Sequence, residues 1–114
     1  MCFNKEIRMS TQFDHVSISK KANIYFDGKC ISYNLTFPDQ TRKTVGVILP
    51  GSLTFATQSP EVMEIVEGKC RARVGHEGEW KNYGAGQQFR VPGQSSFDIE
   101  VQEPVHYVCH FNNQ

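Results

Sequence analysis

The chain has 114 residues, with 12 basic and 12 acidic side chains and four cysteines. This length suits a single domain, which can bury roughly two-thirds of its unfolded surface without covalent staples. A net charge of zero, with no basic run longer than Lys20-Lys21 or Arg42-Lys43, gives no electrostatic basis for binding nucleic acid or an anionic membrane.

Residues 1–21 read as an N-terminal extension, partly flexible, and residues 22–114 as one folded domain. The first eight residues, before Met9, read as an upstream start or an appended segment and carry no fold signal. Phe13, Val16 and Ile18 are apolar enough to pack the extension on the domain or on a partner subunit, and a frayed tail is the alternative. Asn23 to Phe26 is a short strand ending at the turn signal Asp27-Gly28. Lys29 to Phe37 then alternates. Ile31, Tyr33, Leu35 and Phe37 form one face, and Cys30, Ser32, Asn34 and Thr36 the other. After a loop at Pro38-Asp39-Gln40, Lys43 to Leu49 is β-rich and turns at Pro50-Gly51.

The central stretch, Gly51 to Gly68, reads as two strands joined at Ser59-Pro60 and closed by a turn at Gly68, because Pro60 lacks the N–H a ladder needs. Lys69 to Val74 follows as a separate strand, then a polar loop at Gly75-His76-Glu77-Gly78. Trp80 to Tyr83 and Gln88 to Val91 are short strands punctuated by Gly84, Gly86 and Pro92-Gly93. Ser96 to Val101 alternates cleanly, with Phe97, Ile99 and Val101 on the apolar face. Pro104 opens a last strand over Val105 to Phe111. No stretch reads as a helix, and the frequent Gly and Pro punctuation points to an all-β sandwich or barrel.

Cys2, Cys30, Cys70 and Cys109 are far apart, so neither a C-x-x-C nor a zinc-knuckle spacing is present. Their spacing leaves open a meeting of Cys30, Cys70 and Cys109 in space. Thiols buried as small hydrophobes in a reduced, soluble, cytoplasmic protein are the expectation. No apolar run approaches the length of a membrane span.

Gly86, followed after five residues by Pro92-Gly93, resembles the second motif of the cupins. Glu61, with Gly68 seven residues on, resembles the tail of their first motif. The resemblance implies a small cupin-type β-barrel, jelly-roll-like. Metal-binding cupins place two histidines before the glutamate and a third after the proline. Here those positions carry Phe55, Thr57 and Phe97, and only Glu61 survives. Phenylalanine cannot ligate a metal, so the expected barrel holds none. A metal-dependent isomerase or dioxygenase is disfavoured on the same ground. The carried-over register turns Phe55, Thr57, Glu61, Met63, Phe97, Ile99 and Val101 inward, which suits an organic ligand.

Tyr25-Phe26-Asp27-Gly28-Lys29, Thr54 through Met63, Val91 through Phe97, and Tyr107-Val108-Cys109 together resemble the bacterial pyrimidine/purine nucleoside phosphorylase family, over about residues 23–111. The resemblance implies an enzyme that uses inorganic phosphate to split purine and pyrimidine nucleosides into free base and pentose 1-phosphate, with no cofactor and broad specificity. It also implies a site. Phosphate needs cations and hydroxyl or amide donors, for which Lys29, Arg90, Thr54 and Thr57 are the candidates. Glu61 would accept from ribose hydroxyls or orient a neighbour; its plain alternative is a solvated strand end. Tyr25, Phe26, Phe55, Phe97 and Tyr107 would give aromatic walls for a flat base. His106 and His110 point outward by parity, and His15 and His76 lie in the extension and a loop. Exposed strand edges and cupin habit favour a homodimer. The competing function is a metal-free cupin that binds a nucleoside or sugar without turnover.

Overall fold

The computed structural model describes residues 11–111. Cys2, the first ten residues of the expected extension and residues 112–114 lie outside the described residues. The described residues form nine strands: β1 (Ser17–Ile18), β2 (Asn23–Tyr25), β3 (Cys30–Thr36), β4 (Arg42–Ile48), β5 (Gly51–Ala56), β6 (Glu61–Val74), β7 (Lys81–Gly84), β8 (Gln88–Val91) and β9 (Ser96–Phe111). Among the described residues there is no α-helix, only a 3₁₀ turn at Phe26–Gly28.

The two long strands organise the rest. β6 and β9 pair antiparallel from Glu61↔Phe111 to Val74↔Phe97. Each carries two further partners on its other edge. β9 pairs β5 through Ser96 to Val101 and β4 through Val105 to His110. β6 pairs β8 near its start and β7 near its end. The long pair is therefore shared by two leaves, one built on β3, β4 and β8, the other on β5 and β7. The strand path runs β1-β3-β4-β9-β6-β7 and is not closed into a hydrogen-bonded cylinder.

Gly68 and Pro104 differ from their expected roles. Gly68 does not close a strand, and Pro104 does not open one; β6 and β9 run through both. The register slips between Ile65 and Cys70, opposite Pro104. A β-bulge there absorbs the missing proline N–H and bends the pair from one leaf into the other. Gly68 has φ +108°, and a Cβ there would collide with the Pro104 carbonyl oxygen. Only glycine fits the crossing.

The core lies between the leaves. Ile48, Ile65, Phe97, Ile99 and Val105 are almost wholly buried. Cys30, Cys70 and Cys109 are free thiols buried with them, and burial pushes Cys70 up to about 11. β3 alternates as its sequence suggests, but Cys30 and Ser32 of its polar face turn inward, while on the other face only Leu35, paired with Ile18 of β1, is buried. Cys30 and Ser32 are buried, whereas Ile31 and Tyr33 are each 38% exposed on the outer face beside Ile24. The end of the extension docks on this leaf. β1 pairs with β3, and Phe13 meets Phe37 edge-on with ring centroids 5.1 Å apart.

Candidate functional site

A cavity of about 540 Å³ opens between the leaves, and its two walls are unlike. Phe26, Phe55 and Phe97 form one. Phe55 stacks on Phe97 at 5.2 Å with 18° between the rings, and Phe26 stands edge-on to Phe55 at 5.1 Å. Phe89 supports Phe97 from behind at 5.4 Å. This wall follows from strand parity. Phe55 and Phe97 are direct cross-strand partners on β5 and β9, and such aromatic pairs hold one face of a sheet together. Phe26 reaches the rim through a left-handed backbone, φ 54°, that is uncommon for a bulky residue. Tyr25 lies beside it, exposed at the mouth.

The opposite wall is polar: Asn23, Ser32, Asn34 and Thr44. The Asn23 Nδ2 amide donates to Ser32 Oγ at 3.2 Å and to Asn34 Oδ1 at 3.0 Å. Ser32 and Asn34 are two apart on β3, and Thr44 faces Asn34 across the β3–β4 ladder, so one register delivers all of them to the same face. The sequence reading missed this wall. Its signal was there, in the parity Ser32 and Asn34 share with Cys30, but parity alone does not say which face is inside.

Glu61 sits between the walls. It is the first residue of β6, paired with Val91 and Phe111, and the only carboxylate among the residues lining the cavity. Burial raises its pKa above the ordinary glutamate range, partly offset by a hydrogen bond that Cys109 Sγ–H donates to Oε1 at 3.3 Å. Tyr107 lines the same floor. Its hydroxyl is 3.4 Å from Cys30 Sγ, and burial pushes the phenol up, so it stays protonated. The floor thus combines one carboxyl with neutral hydroxyl and thiol groups.

Several expected site residues are placed elsewhere. Thr57 is buried but does not line the cavity. Its hydroxyl donates to the Pro92 carbonyl at 2.6 Å and accepts from the Ser95 N–H at 3.0 Å. Both hydrogen-bonding roles are spent tying the β5–β6 loop to the β8–β9 loop. Thr54 reaches the cavity edge, but its hydroxyl donates to Asp98 Oδ1 at 2.6 Å on the outer face. Lys29 is exposed and donates to the Pro50 carbonyl at 3.3 Å, outside the lining. Arg90 is exposed between buried Phe89 and Val91, so strand parity turns it away from the interior. His110 is on the outer face, between Lys43 Nζ at 2.7 Å from Nδ1 and Glu64 Oε1 at 2.8 Å from Nε2.

The donor set does not fit the metal that the cupin fold commonly holds. The motif positions carry Phe55, Thr57 and Phe97, and Thr57 is turned to its loops. Among the described residues no three His, Cys, Asp or Glu side chains come together as a metal-binding group.

The sequence model of the family described as pyrimidine/purine nucleoside phosphorylase matches residues 20–111 of this chain. A pyrimidine/purine nucleoside phosphorylase of Cupriavidus necator is 64% identical over 101 residues, covering 89% of this chain and 96% of that one. Its counterpart in Methylobacillus flagellatus is 64% identical over 100 residues, covering 88% and 97%. A crystal structure of a protein of unknown function from an Acinetobacter species superposes with a TM-score of 0.88 at 51% identity, covering 90% of this chain and 100% of that one. An oxalate decarboxylase of Bacillus subtilis, a cupin, superposes with a TM-score of 0.70 at 13% identity over 91% of this chain and 30% of that one, a likeness of fold alone. The all-β, cupin-type architecture expected from the sequence is the one observed.

Proposed function

The chain belongs to the pyrimidine/purine nucleoside phosphorylase family, and on that premise we propose that it splits purine and pyrimidine nucleosides with inorganic phosphate, giving free base and pentose 1-phosphate, without a metal and with broad tolerance of the base. The observation that carries this reading is the pairing of an aromatic wall with a polar one around a single half-buried carboxyl, in a cavity of about 540 Å³. Ligand sites for small organic molecules typically have such a volume and such a mixture of apolar surface with a few convergent polar groups.

The reaction makes C1 of the pentose electron-poor. A phosphate oxygen bonds to C1 while the C1–N bond breaks, and the electron pair leaves on the base nitrogen. The protein's share is positioning and electrostatics. The faces of Phe55 and Phe97 give a flat base a stacking surface that does not depend on its hydrogen-bonding edge, which is why specificity is broad. Asn23, Ser32, Asn34 and Thr44 offer amides and hydroxyls to the pentose. Glu61, once ionised, accepts from pentose hydroxyls and places negative charge near the developing oxocarbenium.

Incubation with inosine or uridine, with and without phosphate, tests the reading. Free base released only with phosphate supports it. Release without phosphate indicates a hydrolase, and tight binding without release indicates a non-catalytic cupin; either overturns it. Glu61→Ala is expected to lose most turnover while remaining folded by circular dichroism. Near-wild-type turnover would remove Glu61 from the mechanism.

The same reading includes a homodimer and a cytoplasmic setting. The exposed Ile24, Ile31 and Tyr33 on the outer face of β2 and β3 support the first. The free buried thiols fit a reducing compartment. Among the described residues no helix is long and apolar enough to cross a membrane. Sedimentation velocity gives the oligomeric state directly.

A further inference from the structure

A second recess, of about 390 Å³, adjoins the main cavity. Asn34, Thr44 and Phe111 line both, so the two are contiguous. Their charges are opposite in kind. The main cavity has one carboxylate and no cation in its lining, whereas the recess has Arg42 and Lys43 and no carboxylate. Ser59 and Gln40 complete it.

Arg42 is two residues before Thr44 on β4, and β-strand alternation starts its side chain on the cavity face. It opens the strand opposite Thr36, at the end of the ladder where the leaf is open to solvent. Among the described residues the ion pairs take Lys69, Arg71, Arg73, His76 and His110, and nothing pairs with the Arg42 guanidinium. Lys43 approaches from the other face of the strand. One of its N–H bonds is directed to His110 Nδ1 at 2.7 Å, and its charge stays beside the recess. A free guanidinium fork with hydroxyl and amide groups around it is the donor set that a tetrahedral oxyanion requires.

We propose that this recess is the phosphate subsite of the enzyme, with Arg42 as its anchoring cation. The proposal deepens the phosphorolysis reading and rests on it. It also moves the anion away from the four residues the sequence suggested. Lys29 and Arg90 are outside the cavity, and the hydroxyls of Thr54 and Thr57 are committed to Asp98 and to Pro92. With phosphate held by Arg42 and the base on Phe55 and Phe97, the pentose spans the shared residues Asn34 and Thr44. The nucleophile then lies on the side of the pentose away from the leaving base, as displacement at C1 requires.

The test is steady-state kinetics of the full chain, varying phosphate and inosine separately, for wild type, Arg42→Gln, Arg42→Lys and the exposed β7 control Lys81→Gln. Losing a charge-assisted contact to an anion is expected to raise the phosphate KM of Arg42→Gln about 10- to 100-fold, with the inosine KM at saturating phosphate changed less than about twofold. Arg42→Lys should recover part of the loss, because it restores the charge but not the fork. Lys81→Gln should match wild type. An unchanged phosphate KM in Arg42→Gln, or an equal rise in Lys81→Gln, overturns the proposal. Calorimetric titration with inorganic phosphate separates it from the underlying reading. If wild type does not split nucleosides with phosphate, the phosphorolysis reading falls. The anion site then stands if wild type binds phosphate and Arg42→Gln does not, and falls if the two titrate alike.

Discussion

The two walls of the cavity are built differently. The aromatic wall is a continuation of the core: Phe97 is 1% exposed, and it stacks on Phe55 in front and meets Phe89 behind. The polar wall is a hydrogen-bonded surface in which Asn23 joins Ser32 and Asn34. The same cavity therefore has one side made of core residues and another held together by side-chain hydrogen bonds at its surface. Substitution should separate the two.

The largest effect is expected at the aromatic wall. Phe97→Ala removes a wholly buried ring from between two others, and large-to-small changes of this kind cost about 3–5 kcal/mol. Urea unfolding followed by fluorescence or circular dichroism measures it. A loss below about 1 kcal/mol would show that the ring is not integral to the core, and the contrast between the walls would disappear.

This division also explains what was legible in the sequence. Phe97, Ile99 and Val101 share a face by simple alternation, and burial of that face follows from its apolarity. Phe55 and Glu61 came through the motif register, and both line the cavity. β3 was harder. Its alternation is as clean as that of β9, yet Ile31 and Tyr33 face outward while Ser32 is buried. A cavity with a polar lining reverses the rule that the apolar face goes inside, and no local pattern announces the reversal. Thr57 lies inward as its parity predicts, but a hydroxyl's direction is set by partners distant in sequence, here Pro92 and Ser95. Gly68 and Pro104 look like strand ends when each is read alone. They form one bulge only when β6 and β9 are laid side by side.

At the polar wall the expected effect on stability is smaller. Asn34→Ala removes one hydrogen bond between partly solvated amides, which costs about 0.5–1.5 kcal/mol. Its effect on kcat/KM for inosine should be the larger of the two in consequence, about tenfold, since a polar group lost from a ligand contact is worth roughly 1.4 kcal/mol or more. Parallel measurement of unfolding and of kcat/KM on one preparation decides it. A variant that loses stability as Phe97→Ala does, while keeping its kcat/KM, would make the polar wall structural.

The smallest effect on stability concerns Glu61, which lines the same cavity, and here the sign is informative. Burial raises its pKa in the folded state above that of the unfolded chain. Below the ordinary glutamate range both states hold the proton, and the full contribution to stability is present. As pH rises, the unfolded chain releases its proton first, so stability falls until the folded carboxyl ionises too, and is then level. Glu61→Gln removes this titration and keeps an oxygen able to accept from Cys109 Sγ–H. Relative to wild type, the variant should therefore gain stability as pH rises from the ordinary glutamate range upward, while losing turnover at every pH. Urea midpoints across that rise measure the gain. A constant difference between the two proteins would mean that the charge of Glu61 costs nothing in the fold. The carboxylate would then be the solvated end of a strand rather than a group held in the cavity for chemistry.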